Sequence, residues 1–170
     1  MRTLRSRLMP QPVDQLRAGD PSAILGIEVH DQFGRTHRLG DYRGQPIVVY
    51  FYPKDDTPGC TLEGKEFRDL HEKFHSLECA VVGVSTDSSA SHRAFADKHG
   101  LQFTLLSDEH RELARAFGVL SGEIADRATF VLDRDGRVAR AFLDVTPRSH
   151  AQRVLNFVQA LVESHRMIGG

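Results

Sequence analysis

Residues 47–63 read Ile47-Val48-Val49-Tyr50-Phe51-Tyr52-Pro53-Lys54-Asp55-Asp56-Thr57-Pro58-Gly59-Cys60-Thr61-Leu62-Glu63. The first six are a continuous β-branched and aromatic run, apolar at both parities. A strand of that kind lies inside a sheet covered on both faces. Turn-formers follow, and Cys60 then opens a stretch with helical spacing. Leu62, Phe67, Leu70 and Phe74 can share much of one face between about residues 60 and 76. In an open α/β sheet, function gathers where parallel strands end and helices begin, and Cys60 stands there. Free backbone N–H groups and the positive end of the helix dipole favour thiolate over thiol. Thr57, three residues upstream, brings a hydroxyl within reach of the sulfur or of a bound oxygen. Pro53 and Pro58 restrict the loop and remove competing N–H groups. A lone cysteine is more often an inert buried thiol; the strand-to-helix position turns that balance towards a reactive one.

Outward from this segment, strands and helices alternate. On the N-terminal side, Leu25, Ile27 and Val29 alternate as in a strand. Asp31–Gly34 turns it towards a partner ending at Leu39, and residues 41–44 form a second turn. On the C-terminal side, Ala80–Val84 reads as a buried strand. Ser89–His99 reads as a helix stopped by Gly100, Phe103–Leu106 as a strand and Asp108–Phe117 as a short helix. Ala128–Leu132 and Val138–Phe142 flank Asp133-Arg134-Asp135-Gly136 as a hairpin. A last helix has Thr146 as N-cap and Pro147 at its first position, with a core stripe of Val154, Phe157, Val158, Leu161 and Val162. Right-handed crossovers make the middle strands parallel and place helices on both faces, so the expected class is α/β with a central mixed sheet.

Composition narrows the function. A chain of 170 residues is one ordinary domain, expected to span 1–170 with residues 1–15 as a flexible or extended segment. Met1–Leu8 carries Arg2, Arg5 and Arg7 without an acid, and reads as a solvated basic tail rather than a transit peptide. A net charge of −1 supplies no field that would draw the chain to nucleic acid or a membrane. No apolar run approaches the length of a membrane span. Two cysteines, Cys60 and Cys79, are too few for a disulfide scaffold and suit a reducing cytoplasm.

Arg127 immediately precedes the strand Ala128–Leu132. If that strand runs antiparallel to 47–52, the arginine starts at the sheet end that holds Cys60. A guanidinium there could hold a thiolate and an attacking oxidant by charge-assisted bonds; the plainer reading is a solvated hairpin arginine. Glu63, one turn beyond Cys60, could orient the arginine, or could simply be a first-turn acid favoured by the dipole.

The spacing Pro53, Thr57, Cys60 resembles the active-site loop of peroxiredoxins. The run Tyr52-Pro53-Lys54-Asp55-Asp56-Thr57-Pro58-Gly59-Cys60-Thr61 is similar to the Q-type branch, the bacterioferritin comigratory proteins. The likeness extends from about Leu16 to Val162 and includes Gly83-Val84-Ser85-Thr86-Asp87 and Leu105-Leu106-Ser107-Asp108. The resemblance implies a thioredoxin-like fold and a thiol-dependent peroxidase without cofactor or metal, active on hydrogen peroxide and organic hydroperoxides. It implies Cys60 as the peroxidatic nucleophile, passing through sulfenic acid. It also implies that Arg127, Thr57 and the loop N–H groups bind the peroxide, and that Pro53 shields the sulfur. The donor would be an external thiol such as thioredoxin, glutaredoxin or glutathione, and the chain a monomer or weak dimer.

Two departures stand out. Many Q-type members carry a resolving cysteine five residues after the catalytic one, where this chain has Lys65; others carry it in the next helix, where Ser89–His99 has none. Ser22-Ala23-Ile24-Leu25 also replaces the usual Ala-Pro-Asp-Phe. Cys79 follows some fifteen residues of helix, about 22 Å of rise, and lies at the far end of the sheet. A disulfide needs Cα atoms about 4.4–6.8 Å apart. Cys79 is therefore read as a small buried hydrophobe and the enzyme as one-cysteine by mechanism.

Three other signals compete. Gly59 to Lys65 matches most of a P-loop, with Asp133 as its metal-holding acid. However, Glu66 stands where Ser or Thr should bind Mg²⁺, and Gly64-Lys65 would lie inside the helix. His71-Glu72-Lys73-Phe74-His75 fits a zincin pair without a third ligand, and reads as a solvated helix face. A holdase chaperone is a third class, which nothing in the sequence signals.

Overall fold

The computed structural model describes residues 21–169. Its elements run α1 (Ser22–Leu25), β1 (Val29–Asp31), β2 (Thr36–His37), a 3₁₀ turn (Leu39–Tyr42), β3 (Ile47–Phe51), α2 (Pro58–Asp69) and α3 (His71–Ser76). Then come β4 (Ala80–Ser85), α4 (Ser89–His99), β5 (Thr104–Ser107), α5 (Glu112–Ala116), β6 (Leu120–Ser121) and β7 (Ile124–Ala125). The chain ends with β8 (Ala128–Leu132), β9 (Val138–Phe142) and α6 (His150–Gly169). The main sheet has the order β2-β1-β5-β4-β3-β8-β9. β3, β4 and β5 are parallel, while β8 joins β3 antiparallel, with Phe51 opposite Ala128. This is the expected mixed sheet, and the fold is thioredoxin-like.

All five residues of β3 are buried, because each parity has its own core. Val49 and Phe51 join Val82, Val84, Leu106, Phe130 and Leu132 beneath α1 and α5. Val48 and Tyr50 join Val81, Leu105 and Val131 beneath α2, α4 and α6, where Phe67, Phe95, Val154 and Val158 pack. Burying both faces of a strand in this way is the main stabilising device of a parallel sheet.

Several boundaries differ from the sequence reading. Residues 22–25 are a helical turn, closed by Leu25 and Gly26 N–H bonds to Pro21 and Ser22, and the first strand starts only at Val29. The helix expected over 60–76 breaks at Leu70 (φ −98°, ψ 3°). Phe67 and Phe74 stay buried across that break, whereas Leu62 falls off the shared face and is exposed. Thr146 is not the N-cap of the last helix. Pro147–Ser149 forms a turn with Ser149 at φ 63°, and the helix starts at His150. The short pair β6–β7 has too few residues to show a period. The helix Ser89–His99 is as read, with the Ser88 hydroxyl accepting from the Ser91 N–H at 3.1 Å and Gly100 left-handed at φ 63°. The expectations for residues 1–15 lie outside the described residues.

Candidate active site

Thr57 is the extended N-cap residue of α2 and Pro58 its first helical residue, so Cys60 falls in the first turn. Proline pre-sets the helical φ and has no N–H to leave unpaired, so Pro58 starts the helix without cost. Cys60 is 2% exposed, and both cysteines are free.

The antiparallel register of β8 on β3 brings Arg127 to the end of β3. One guanidinium nitrogen donates to Cys60 Sγ at 3.3 Å and the other to Glu63 Oε1 at 2.9 Å. Burial alone would lower the Arg127 pKa; the two acidic groups beside it outweigh that and hold it above its ordinary value. Glu63 is fully buried and its other oxygen, Oε2, has no hydrogen-bond partner. Burial pushes the Glu63 pKa up to about 7 against the pull of Arg127. The Arg127–Glu63 contact is thus not an ordinary surface ion pair: a half-buried guanidinium meets a fully buried carboxylate through a single oxygen.

Thr57 stands at the start of α2. Its hydroxyl donates to the Lys54 carbonyl at 2.8 Å. With the proton so engaged, the oxygen keeps acceptor capacity for an incoming O–H. Pro53 is half-buried at the end of β3.

Gly59, Asp55 and His92 were missed in the sequence. A Cβ on Gly59 would lie 3.0 Å from an Arg127 guanidinium nitrogen, so the arginine rests on bare backbone. Asp55 Oδ1 accepts from the Tyr52 hydroxyl at 2.6 Å, and its Oδ2 contacts Ser91 Oγ at 2.8 Å and His92 Nδ1 at 2.7 Å. The Asp55 N–H donates to Asp87 Oδ2 at 2.8 Å, and His92 Nε2 meets the Leu106 carbonyl at 2.9 Å. These bonds tie the loop before Cys60 to α4, β4 and β5. Asp55, Asp87 and His92 offer ligand atoms within 4.8 Å of one another, and the two carboxylates already accept from the Tyr52, Ser85 and Ser91 hydroxyls. The available signal was His92 at helical spacing with buried Phe95 and Ala96.

The competing motifs dissolve. Gly64 and Lys65 lie within α2, and a Cβ on Gly64 would meet Leu101 at 3.4 Å, so that glycine serves helix packing. The His71 and His75 rings stack at 6.3 Å and line a cavity of about 670 Å³ with Cys79 and Tyr42; no third ligand group joins them among the described residues. Cys79 precedes Ala80, which pairs with Ile47 at the start of β3, so it lies at the opposite end of the sheet from Cys60. Burial pushes its pKa up to about 12.

Comparison with known proteins identifies the family. The AhpC/TSA family matches residues 22–141. The chain is 46% identical over 135 residues to the chloroplastic peroxiredoxin Q of Sedum lineare, covering 77% of this chain and 73% of that one. It is 40% identical over 145 residues to peroxiredoxin Bcp of Bacillus subtilis (strain 168), covering 81% and 92%. Among solved structures, the bacterioferritin comigratory protein of Xanthomonas campestris, studied for alkyl peroxide reduction, superposes with TM-score 0.81 at 35% identity. That superposition covers 84% of this chain and 96% of the other.

Proposed function

The chain belongs to the AhpC/TSA family, in which it is a peroxiredoxin of the Q/Bcp type and a thiol-dependent peroxidase; from that premise we propose that Cys60 is the nucleophile and that it works without a resolving cysteine. The observation that carries the reading is the single guanidinium shared by Cys60 and Glu63 at 3.3 and 2.9 Å.

The Cys60 thiolate attacks the terminal oxygen of the hydroperoxide and becomes sulfenic acid as the O–O bond breaks. Arg127 stabilises first the thiolate and then the charge developing on the leaving oxygen, at low dielectric, where such stabilisation is strongest. The Thr57 oxygen, its own proton given to Lys54, accepts the peroxide O–H. Pro53 walls the sulfur from water, and Glu63 orients Arg127. An external thiol then reduces the sulfenic acid: thioredoxin, glutaredoxin or glutathione. Organic hydroperoxides are substrates by likeness to the Xanthomonas protein, and hydrogen peroxide by the same chemistry. The cytoplasm is the proposed location; no helix among the described residues is long and apolar enough to cross a membrane. Residues 1–170 act as one domain, as a monomer or weak dimer.

The test is peroxide consumption with each donor offered separately, in the wild type, Cys60→Ser and Cys79→Ala. Loss of turnover in Cys60→Ser alone supports the reading. Loss in Cys79→Ala with every donor overturns the one-cysteine part.

A further inference from the structure

Three close contacts meet at the Asp55 carboxylate, in the loop that leads to Cys60, and each needs a proton. Tyr52 Oη lies 2.6 Å from Oδ1, Ser91 Oγ 2.8 Å from Oδ2, and His92 Nδ1 2.7 Å from the same Oδ2. The two hydroxyls supply two of the protons, and the third must belong to the Asp55–His92 contact itself. The imidazole cannot provide it by choosing a tautomer. Its Nε2 lies 2.9 Å from the Leu106 carbonyl, which only accepts, so one ring proton is already committed there. A neutral ring would then turn the Nδ1 lone pair on a carboxylate oxygen. Asp55 is the poorer holder of the extra proton, because hydrogen bonds from Tyr52 and Ser91 favour its charged form. Both ring nitrogens of His92 therefore carry protons, and the ring is a cation at 0% exposure.

The surroundings suit that charge. Asp55, 8% exposed, faces the ring from the loop after β3, and Asp87 from the loop between β4 and α4. The Tyr52, Ser85 and Ser91 hydroxyls that also serve these carboxylates are neutral. The neighbouring Asp56 pairs with Lys98 and His99, likewise of α4. That pairing is solvent-exposed, and such pairs hold little. The buried contact is the one that fastens the loop. We propose that His92 is a buried imidazolium that positions Asp55, and with it the loop bearing Pro53 and Thr57, beside Cys60. The inference rests on Cys60 being the nucleophile. The bond from the Thr57 hydroxyl to the Lys54 carbonyl spans Asp55, so a displaced Asp55 carries the Thr57 oxygen with it. His92 does not touch the substrate; it is a positioning residue that acts through Asp55.

Two measurements test it. Nitrogen NMR of the imidazole at about pH 8, where an ordinary imidazole is largely neutral, should show both His92 ring nitrogens protonated in the wild type. In Asp55→Asn, whose amide N–H can donate to Nδ1, only one should stay protonated. The second measurement is stopped-flow oxidation of Cys60 by hydrogen peroxide. His92→Asn keeps a donor for Asp55 but carries no charge, and strands a buried carboxylate. It should slow the attack by about 10- to 100-fold, the scale set by misplacing a catalytic group. The double variant Asp55→Asn/His92→Asn removes the stranded charge and lets two amides pair, so it should recover most of that loss. A contact that served only packing would leave the double variant no faster than His92→Asn, and that result overturns the proposal. So does a wild-type His92 with one protonated nitrogen, which decides the matter alone if His92→Asn does not fold. Dimedone capture of sulfenic acid on wild-type Cys60 separates this failure from failure of the underlying reading, which would leave Cys60 unlabelled.

Discussion

Arg127 lies on Gly59: a methyl group built on that glycine would sit 3.0 Å from a guanidinium nitrogen, closer than carbon and nitrogen ordinarily pack. Gly59→Ala should therefore push the guanidinium from Cys60 while leaving α2 intact, since alanine favours helix over glycine. Peroxide attack on Cys60 should slow at unchanged helical content. Arg127→Ala should slow it by about 100- to 1,000-fold, as loss of a charge-stabilising donor does elsewhere. Stopped-flow oxidation rates check both; a Gly59→Ala protein as fast as wild type would show that the arginine has room to spare.

Cys79 should be silent in the folded protein. With its thiol pushed to about 12 by burial at 5% exposure, it presents almost no thiolate near neutrality. One equivalent of peroxide should leave no disulfide linking it to Cys60. Iodoacetamide at about pH 8 should label one cysteine in the native protein and both in urea, as read by intact mass.

Two buried groups give opposite slopes of stability against pH. Glu63 titrates at about 7 folded against an ordinary 4.5, so the folded chain keeps a proton the unfolded chain loses, and stability falls as pH rises through that window. The contribution is of the order of 3 kcal/mol. His150 is lowered to about 4 from 6.5, so the unfolded chain gains a proton the folded chain refuses, and stability falls as pH falls through that window. From about 4.5 to 6.5 the two oppose each other. Glu63→Gln should expose the His150 slope, stability climbing with pH, and His150→Gln the reverse. Urea unfolding at several pH values reads both.

Gly83 makes room for Tyr50. An added Cβ would lie 2.8 Å from Tyr50 Cζ and 2.9 Å from Leu105 Cδ2, so Gly83→Ala should cost about 1–3 kcal/mol by overpacking. The Tyr50 hydroxyl itself is buried without a partner, and Tyr50→Phe should stabilise by about 1 kcal/mol. Because phenylalanine keeps Cζ, it should not rescue Gly83→Ala; thermal unfolding of the double variant tests this.

The candidate site was largely legible because its signals are local. Tyr52 to Thr61 carries the strand end, the turn-formers and the helix start in one short stretch. Arg127 was legible only through an assumed strand direction, which the pairing of Phe51 with Ala128 bears out. The face shared by Leu62 and Phe67 was misread, since five residues of helix put them about 140° apart, and the buried stripe of α2 is instead Cys60, Glu63, Gly64 and Phe67. The resting place of the guanidinium on Gly59 and the Asp55–His92 contact join distant segments, and no periodicity reports them. Spacing gave the Thr57 hydroxyl its reach but not its rotamer, and its bond to the Lys54 carbonyl is set by the loop's own backbone.

The antiparallel docking of β8 on β3 also sets when the enzyme can become active during its own synthesis. A chain emerging N-terminus first exposes Cys60 well before residues 127–132 exist. Until they do, β3 lacks a neighbour on one side, and the thiol lacks its cation. The nascent chain therefore carries an ordinary cysteine, and sensitivity to peroxide arrives late, with the strand that brings in Arg127.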